Sequence, residues 1–531
     1  MKFGGSVIHN DFGFFQLTSP AGALTYTGTY TNNPVSTSGT GNPWADFLLG
    51  LPASSSKVSV PYGVPYLSYT EGGLFWQDQW RATRKLTVTI GTRWDLFTWP
   101  VERYNRQSDF IPATGGIALA GQNGESRSLM NVHHNEFSPR IGIAYRLGDK
   151  TVLRTGYGRY FFNEQGTGGS ARLFINYPDT QAYAVNCSST VPCLSTETGI
   201  PNTLSPTNLP TEVYIPQQGL NSNMQQWNFT LEREVTNSFV VRGSYVGSHG
   251  DHLYIALNEN VAVPGPGAVA AREPWPQYSS ISAWEPDGIS NYNALELSAE
   301  KRFARGLMFN ASYTFSRALD MGGGGNSASA ESRSNVQNPR DVRAEYGLAD
   351  FNFSHRFTFS GVYDIPVGKG RRFLSNANDA LNIVVGGWQA DSIFQAQTGP
   401  PGTLTMATAT SNTGTTQYPN RICNGTLPSG QETAHMWFNT SCYLAPPIYT
   451  FGNAGRNVMI APGYWSWDFG VHKDFRITEK FGLTFRGELF NVLNNVNFAY
   501  PSTSIGSAAA GTITSIVGNA RQVQLALRLH F

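Results

Sequence analysis

The chain has 531 residues, a formal net charge of +1 at pH 7, 14% charged residues, 13% aromatic residues and 56 glycines. So balanced a charge gives no sign of a polyanionic partner, and no nucleic-acid partner is expected. No run approaches the ~18 consecutive apolar residues of a membrane-crossing helix, yet a mean hydropathy of -0.27 suits a membrane wall of strands, half of whose residues face water.

In chain order, residues 1–17 and 21–30 read as a strand pair. The apolar stretch from Pro43 to Pro52 reads as a short helix, and one or two strands are expected between Ser55 and Tyr69. From about residue 71 the strands come in hairpins. The expected pairs lie near 72–81 and 85–98, 137–147 and 151–162, 224–235 and 238–247, and 291–303 and 306–317. Two more lie near 351–364 and 384–398, and near 465–476 and 481–493, before a last strand at 522–531. Within pairs the turns are short, as at Gly148-Asp149-Lys150, Ala304-Arg305 and Thr478-Glu479. Between pairs the connections are long and rich in Pro, Gly and Asn. The glycine run at 322–325 lacks a following Lys-Ser/Thr and reads as a flexible surface loop.

The strands show period-two alternation. Leu86, Val88, Ile90, Thr92 and Trp94 share one face, as do Leu307, Phe309, Ala311, Tyr313 and Phe315. Many run 11 to 14 residues, longer than the ~5–6 of soluble sheets and enough for the ~9–11 that a tilted strand needs to span a bilayer. The total is about sixteen strands. The last ten residues put Val523, Leu525, Leu527, Leu529 and Phe531 on one face and Gln522, Gln524, Ala526, Arg528 and His530 on the other. An edge strand of a soluble sandwich alternates in the same way. Short turns on one side with long loops on the other decide for an all-β, antiparallel transmembrane β-barrel with periplasmic turns and extracellular loops. Trp76, Trp80, Trp94, Trp99, Trp227, Trp465 and Trp467 then form an aromatic girdle with Tyr157, Tyr160, Phe161 and Phe162.

The N-terminal MKFGGSVIHNDFGFF has no apolar core of a signal peptide. Since an outer-membrane protein crosses the inner membrane first, the chain is expected to be the C-terminal part of a longer one, forming a single barrel domain over 1–531. If strands are missing at the front, a gap is expected between the first strands and 522–531.

Four cysteines fall as two local pairs in loop-like stretches, Cys187 with Cys193 and Cys423 with Cys442. They are expected to form disulfides in an oxidising compartment. No HExxH, GxSxG or Walker loop is present, so no enzyme and no cofactor are expected. His249, Asp251 and His252, like His133, His134 and Glu136, read as polar loops rather than metal sites. Glu488 shares parity with Arg486, and Arg486 and Arg528 join Arg140, Arg154 and Arg356 as expected lining of a polar lumen. A lumen of both signs argues against a strongly ion-selective pore. Asn491, Asn494 and Asn497 are expected to bond lumen groups at a strand end.

PWADFLLGLP at 43–52, FWQDQWRATRKLTVTIGTRWD at 75–95, FSPRIGIAYRL at 137–147 and NYNALELSAEKRFARGLMFNASYTFSRALD at 291–320 are familiar stretches. So are FSHRFTFSGVYDIPVGKGRRF at 353–373, FGNAGRN at 451–457, FRGELFNVLNNVNF at 485–498 and RQVQLALRLHF at 521–531. Through them the chain resembles the C-terminal barrel of TonB-dependent outer-membrane receptors, most closely the Oar-like group with a carboxypeptidase-regulatory-like domain. The resemblance implies a receptor of up to 22 strands around an N-terminal plug, taking up a large or scarce ligand with energy passed by TonB. TonB is then a partner only through the plug-bearing part. The resemblance also implies that the terminal aromatic, Phe531, is read by the barrel-assembly machinery, besides meeting outer-membrane lipid. A passive outer-membrane porin or surface adhesin, or a secreted soluble glycan-binding β-protein, are the competing readings. The ligand itself is unknown from sequence.

Overall fold

Long alternating strands separated by turn-forming residues build one large sheet. The computed structural model describes residues 1–13, 19–33, 35, 39–162, 170–187, 191–200, 211–322, 336–478 and 480–531. Glu479, Gly323, Gly324 and Gly325 and the end of the stretch 1–17 lie outside the described residues.

The sheet has seventeen strands, of which three are short and fourteen run nine residues or more. The long ones are β1 (Lys2–Gly13), β2 (Tyr66–Arg81), β3 (Leu86–Phe97), β4 (Glu136–Gly148), β5 (Thr151–Phe161), β6 (Asn223–Thr236) and β7 (Phe239–Asn258). They continue as β8 (Ser280–Ala304), β9 (Leu307–Asp320), β10 (His355–Asp364), β11 (Trp388–Gln397), β12 (Tyr464–Arg476), β13 (Gly482–Phe490) and β14 (Gln522–His530). Each pairs antiparallel with the strand before and after it in sequence, from Phe3 opposite Trp76 at one end to Leu483 opposite Leu529 at the other. Among the described residues β1 has only β2 as a ladder partner and β14 only β13.

Connections alternate in length, with one departure. Those after β2, β4, β6, β8 and β12 are two to five residues long, whereas those after the odd strands carry whole loops. The sixth short-side link, 365–387, is that departure: it is longer and holds helix α2 (Asp379–Val385). Because fourteen antiparallel strands are an even number, β1 starts and β14 ends on the short-turn rim.

The register keeps apolar residues on one face. Val88, Ile141 and Phe229 belong to it, as do Leu297, Phe359, Val471, Leu489 and Val523. In β14 the apolar set stands in the open, with Leu525 70% and Leu527 68% exposed. A wall with an exposed greasy face and a polar opposite face needs a lipid solvent. The tightly packed core lies elsewhere, at the long-loop rim. One cluster joins Trp99, Leu129, Met130, Leu173 and Ile215 to Ala256 of β7 and Trp284 of β8. A second joins Leu404, Phe438, Cys442, Tyr443, Met459 and Ile505. The long connections therefore fold into caps of their own.

Three expectations change here. The first seventy residues do not form a strand pair from 1–17 and 21–30. Instead β1 pairs with β2, while Ala23–Thr25 joins Ser54–Ser59 and Gln181–Asn186 in a small separate sheet. The physical reason is length and pattern: a three-residue strand cannot match twelve, and the cap supplies better partners. The helix at 43–52 is present as α1 (Pro43–Leu48), with Asn42 accepting from Trp44 N and Pro at its first turn. Second, β11 starts at Trp388 rather than 384, because Asn378 caps α2 by accepting from Leu381 N. Third, Trp99 is no girdle residue; it is 2% exposed inside a cap.

Candidate functional site

The face opposite the apolar one is polar and rich in glycine. One continuous row runs Gln77, Gly91, Arg140, Gly158, Gln226, Ser248 and Tyr292 from β2 to β8. The next row holds Thr89, Gly142, Gly156 and Asn228. Missing side chains at these glycines leave a depression of about 750 Å³ whose lining includes Arg93, Arg140, Tyr160 and Gln226. A Cβ at Gly158 would lie 2.7 Å from Tyr160 Oη, so only glycine lets this ring lie along the wall. Its reward is contact with Arg140, whose guanidinium carbon stands 4.6 Å from the ring centroid. Tyr160 thus faces away from the apolar side and leaves the expected girdle.

Both charge signs occur on this face. Arg242 donates Nε and Nη2 to Glu232 Oε2 at 3.0 and 2.7 Å. Arg93 Nε donates to Asp95 Oδ1 at 2.6 Å. The register puts Arg154 and Arg356 on the same face. Glu488 stands opposite Gln524, Arg486 opposite Ala526, and Arg528 opposite Thr484. All three therefore share the polar face, and none forms an ion pair among the described residues.

The nearby asparagines do something else. Asn491 accepts from Asn495 N at 2.8 Å and donates to the Asn495 and Asn519 carbonyls. Asn494 accepts from Arg521 N at 2.9 Å, and Asn497 accepts from Trp465 N at 3.0 Å. Asn491 and Asn494 also adopt positive φ, which asparagine tolerates. They fasten the connection from β13 to β14 rather than bond lumen groups.

At the long-loop rim the caps are pinned by buried polar groups. Cys187 and Cys193 are disulfide-bonded with Cα atoms 5.3 Å apart, and Cys423 and Cys442 at 5.0 Å. Asn176, wholly buried, donates to the carbonyls of Ser108 and Val213 at 2.8 Å each and accepts from Val213 N. Burial pushes the Glu212 carboxyl up to about 8, against a 3.2 Å bond from Tyr177 N that favours its charge. Burial likewise raises Asp179 to about 6 and lifts Asp109 well above the carboxylate range. Burial also opposes charge on Glu102, but Arg106 and the backbone N–H groups of Arg106, Tyr104 and Tyr66 outweigh it and hold that carboxyl low.

Arg456 was invisible as a functional residue in sequence. It is 4% exposed and donates to the Glu345 carbonyl at 2.9 Å, to the Asp320 carbonyl at 2.7 Å, and to the carboxylates of Asp320 and Asp350. Its neighbour Asn457 donates to Leu348 O and Asp350 Oδ1, each at 2.6 Å. Gly452 packs where a Cβ would lie 1.9 Å from Tyr418 O. The stretch 451–457 is thus a clasp that closes the cap onto the end of β9. No local periodicity announces such a clasp, because every partner is distant in sequence.

His249 bonds Asn291 Oδ1 at 2.9 Å, and His133 bonds the Gln218 carbonyl. Among the described residues no three His, Cys, Asp or Glu side chains are placed to hold a metal ion. None of the helices described is long and apolar enough to cross a membrane, which says nothing about strands.

A lipid-suited meander of long strands, a polar face opposite the apolar one and folded loops on one rim define an outer-membrane wall protein. The chain belongs to the outer membrane beta barrel domain family, whose model matches residues 1–524, and the outer membrane is its location. No curated protein matches it. Among solved structures it is similar to the ferripyoverdine receptor of the outer membrane of Pseudomonas aeruginosa, at 10% identity over 88% of this chain and 39% of that one, with a TM-score of 0.40. It is also similar to the ferric citrate transporter FecA, at 11% identity, 90% and 49% coverage and a TM-score of 0.41. The outer membrane transporter YddB from Escherichia coli matches at 11% identity, 90% and 52% coverage and a TM-score of 0.40. The chain spans about half the length of these proteins or less.

Proposed function

We propose that residues 1–531 are the barrel domain of a TonB-dependent outer-membrane receptor of the Oar-like group, which takes up a large or scarce ligand. The observation that carries this reading is the capped rim, where long loops are folded on two apolar cores and pinned by buried polar groups. A passive pore needs a standing water path and gains nothing from apolar cores at its mouth. A receptor needs a shaped recognition surface on a rigid scaffold. In this reading the open edges of β1 and β14 close a barrel, directly or with further strands. Short turns face the periplasm and capped loops face outward. The polar face with Glu488, Arg486 and Arg528 lines the lumen and meets a plug domain not contained in these 531 residues. Coupling to TonB belongs to that plug. Phe531 is the residue offered to the barrel-assembly machinery.

Planar-bilayer recording on the complete receptor tests the reading. No standing conductance is expected, together with ligand uptake that stops when the inner membrane is de-energised. A steady conductance, or uptake indifferent to energy, would assign a passive porin instead.

A further inference from the structure

One short-side link departs from the rest. Five of the six are two to five residues long, but 365–387 is far longer and contains α2. Its large apolar side chains stand in the open: Phe373 and Leu374 are about half exposed, as is Leu381, while Ile383 is 62% and Val384 64% exposed. Among them stand Lys369, Arg371 and Arg372. Lys369 Nζ binds Asp379 at 2.7 Å, whereas Arg371 and Arg372 have no carboxylate partner among the described residues.

The place of α2 is fixed by Lys473. This lysine sits in β12 on the apolar face, in line with Val471 and Phe475 and opposite Trp388 and Phe485. A cation there is costly against lipid. Yet Lys473 is only 4% exposed, and its ammonium donates to the carbonyls of Ile383 and Val384 at the end of α2. A helix C-terminus is where a cation is favoured. Trp388 Nε1 donates to the same Val384 carbonyl at 2.8 Å. Lys473 also lies 5.4 Å from the Trp388 ring centroid and 4.7 Å from that of Phe475. A seven-residue helix is not stable by itself. This one is held by its C-terminus against the lipid-facing side of the wall.

We propose that residues 365–387 are an interfacial anchor, lying in the phospholipid leaflet at the short-turn rim and binding anionic headgroups through Arg371 and Arg372. Two arguments name lipid as the occupant. The exposed apolar side chains of α2 stand beside the apolar face of the wall, where Lys473 and Trp388 hold the helix end. Arg371 and Arg372 beside them, without a carboxylate partner among the described residues, complement phosphate-bearing headgroups. Lys473 is the positioning residue that clamps α2 to the wall.

The test uses the full chain inserted in vesicles of phosphatidylethanolamine and phosphatidylglycerol. A nitroxide is attached at Ile383→Cys or Val384→Cys, with Ala508→Cys in an exposed cap turn as the aqueous reference. Labels at 383 and 384 are expected to be relaxed by dissolved oxygen and shielded from a water-soluble nickel chelate, with 508 showing the reverse. Nickel relaxation at 383 and 384 equal to that at 508 would overturn the anchor. The double variant Arg371→Gln, Arg372→Gln is expected to lower the preference for phosphatidylglycerol over phosphatidylethanolamine by about fivefold per cation removed. An unchanged preference overturns headgroup binding. Lys473→Met should leave the wild-type wall folded and make the label at 383 mobile; a label that stays immobile removes Lys473 from its role.

Discussion

The guanidinium of Arg456 is clamped between the carboxylate and the backbone carbonyl of Asp320, a residue 136 positions earlier in the chain. One buried side chain thereby ties the cap that contains the second disulfide to the end of a wall strand. Replacing Arg456 by Met leaves a largely buried Asp320 carboxylate without its partner, at a cost of about 3–5 kcal/mol to the cap. Limited proteolysis should then cut within 398–463 while the wall keeps its resistance. Unchanged cleavage would count against the clasp.

Reduction of the second disulfide should act on the same cap. Its cysteines are 19 residues apart, so the lost loop constraint is on the order of 3 kcal/mol. The first pair, 6 residues apart, should matter less. Hydrogen exchange of the caps with and without reductant checks both, and equal protection in the two states would contradict the expected order.

The caps should also respond to pH. Glu212 keeps its proton in the folded protein up to about 8, whereas the unfolded chain releases it near the ordinary value of about 4.3. Its contribution is therefore fully present below the unfolded value and is lost as pH rises toward 8. Asp179 acts in the same direction over a lower window, ending at about 6. Opening at the Val213 and Ile215 amides, read as exchange divided by the intrinsic base-catalysed rate, should rise between pH 5 and about 8. Glu212→Gln, which cannot ionise, should flatten that rise; a slope identical to wild type would exclude Glu212 as its source.

Phe531 is 92% exposed, with its ring 6.5 Å from that of Phe481 between centroids. So little packing means that Phe531→Ser should cost well under ~1 kcal/mol of fold stability. In cells, by contrast, the variant of the full receptor should reach the membrane in lower amount if the assembly machinery reads this residue. Normal insertion in cells would refute recognition. Failure to fold in detergent would make Phe531 a packing residue.

The wall was legible because a strand with lipid on one face and water on the other must alternate, and β3, β9 and β14 do so residue by residue. The short and long connections were legible for the same local reason, through turn residues such as Asp149 and Asn237. What escaped was non-local. The pairing of the strands at 23–25 and 54–59 depends on the partner strand at 181–186, more than a hundred positions away. Trp99 looked like its neighbour Trp94, and only the packing of Leu129, Leu173 and Ile215 around it makes it a cap residue. The candidate lumen residues Arg486, Glu488 and Arg528 were placed on one face by parity alone. What they bind is set by groups that parity cannot supply. Arg456 and Lys473 were hidden most deeply, since each is explained by carbonyls and carboxylates that folding brings from elsewhere.

The separation of the apolar cores from the wall has a consequence for how such a protein changes over generations. Substitutions in the caps draw on the caps' own stability and leave the membrane-spanning register untouched. In the orientation proposed above, the part that can drift cheaply is the one turned to the outside. The wall, answerable to lipid on every strand, is held to one pattern. One chain can thus keep its address in the cell while its outward surface is rewritten.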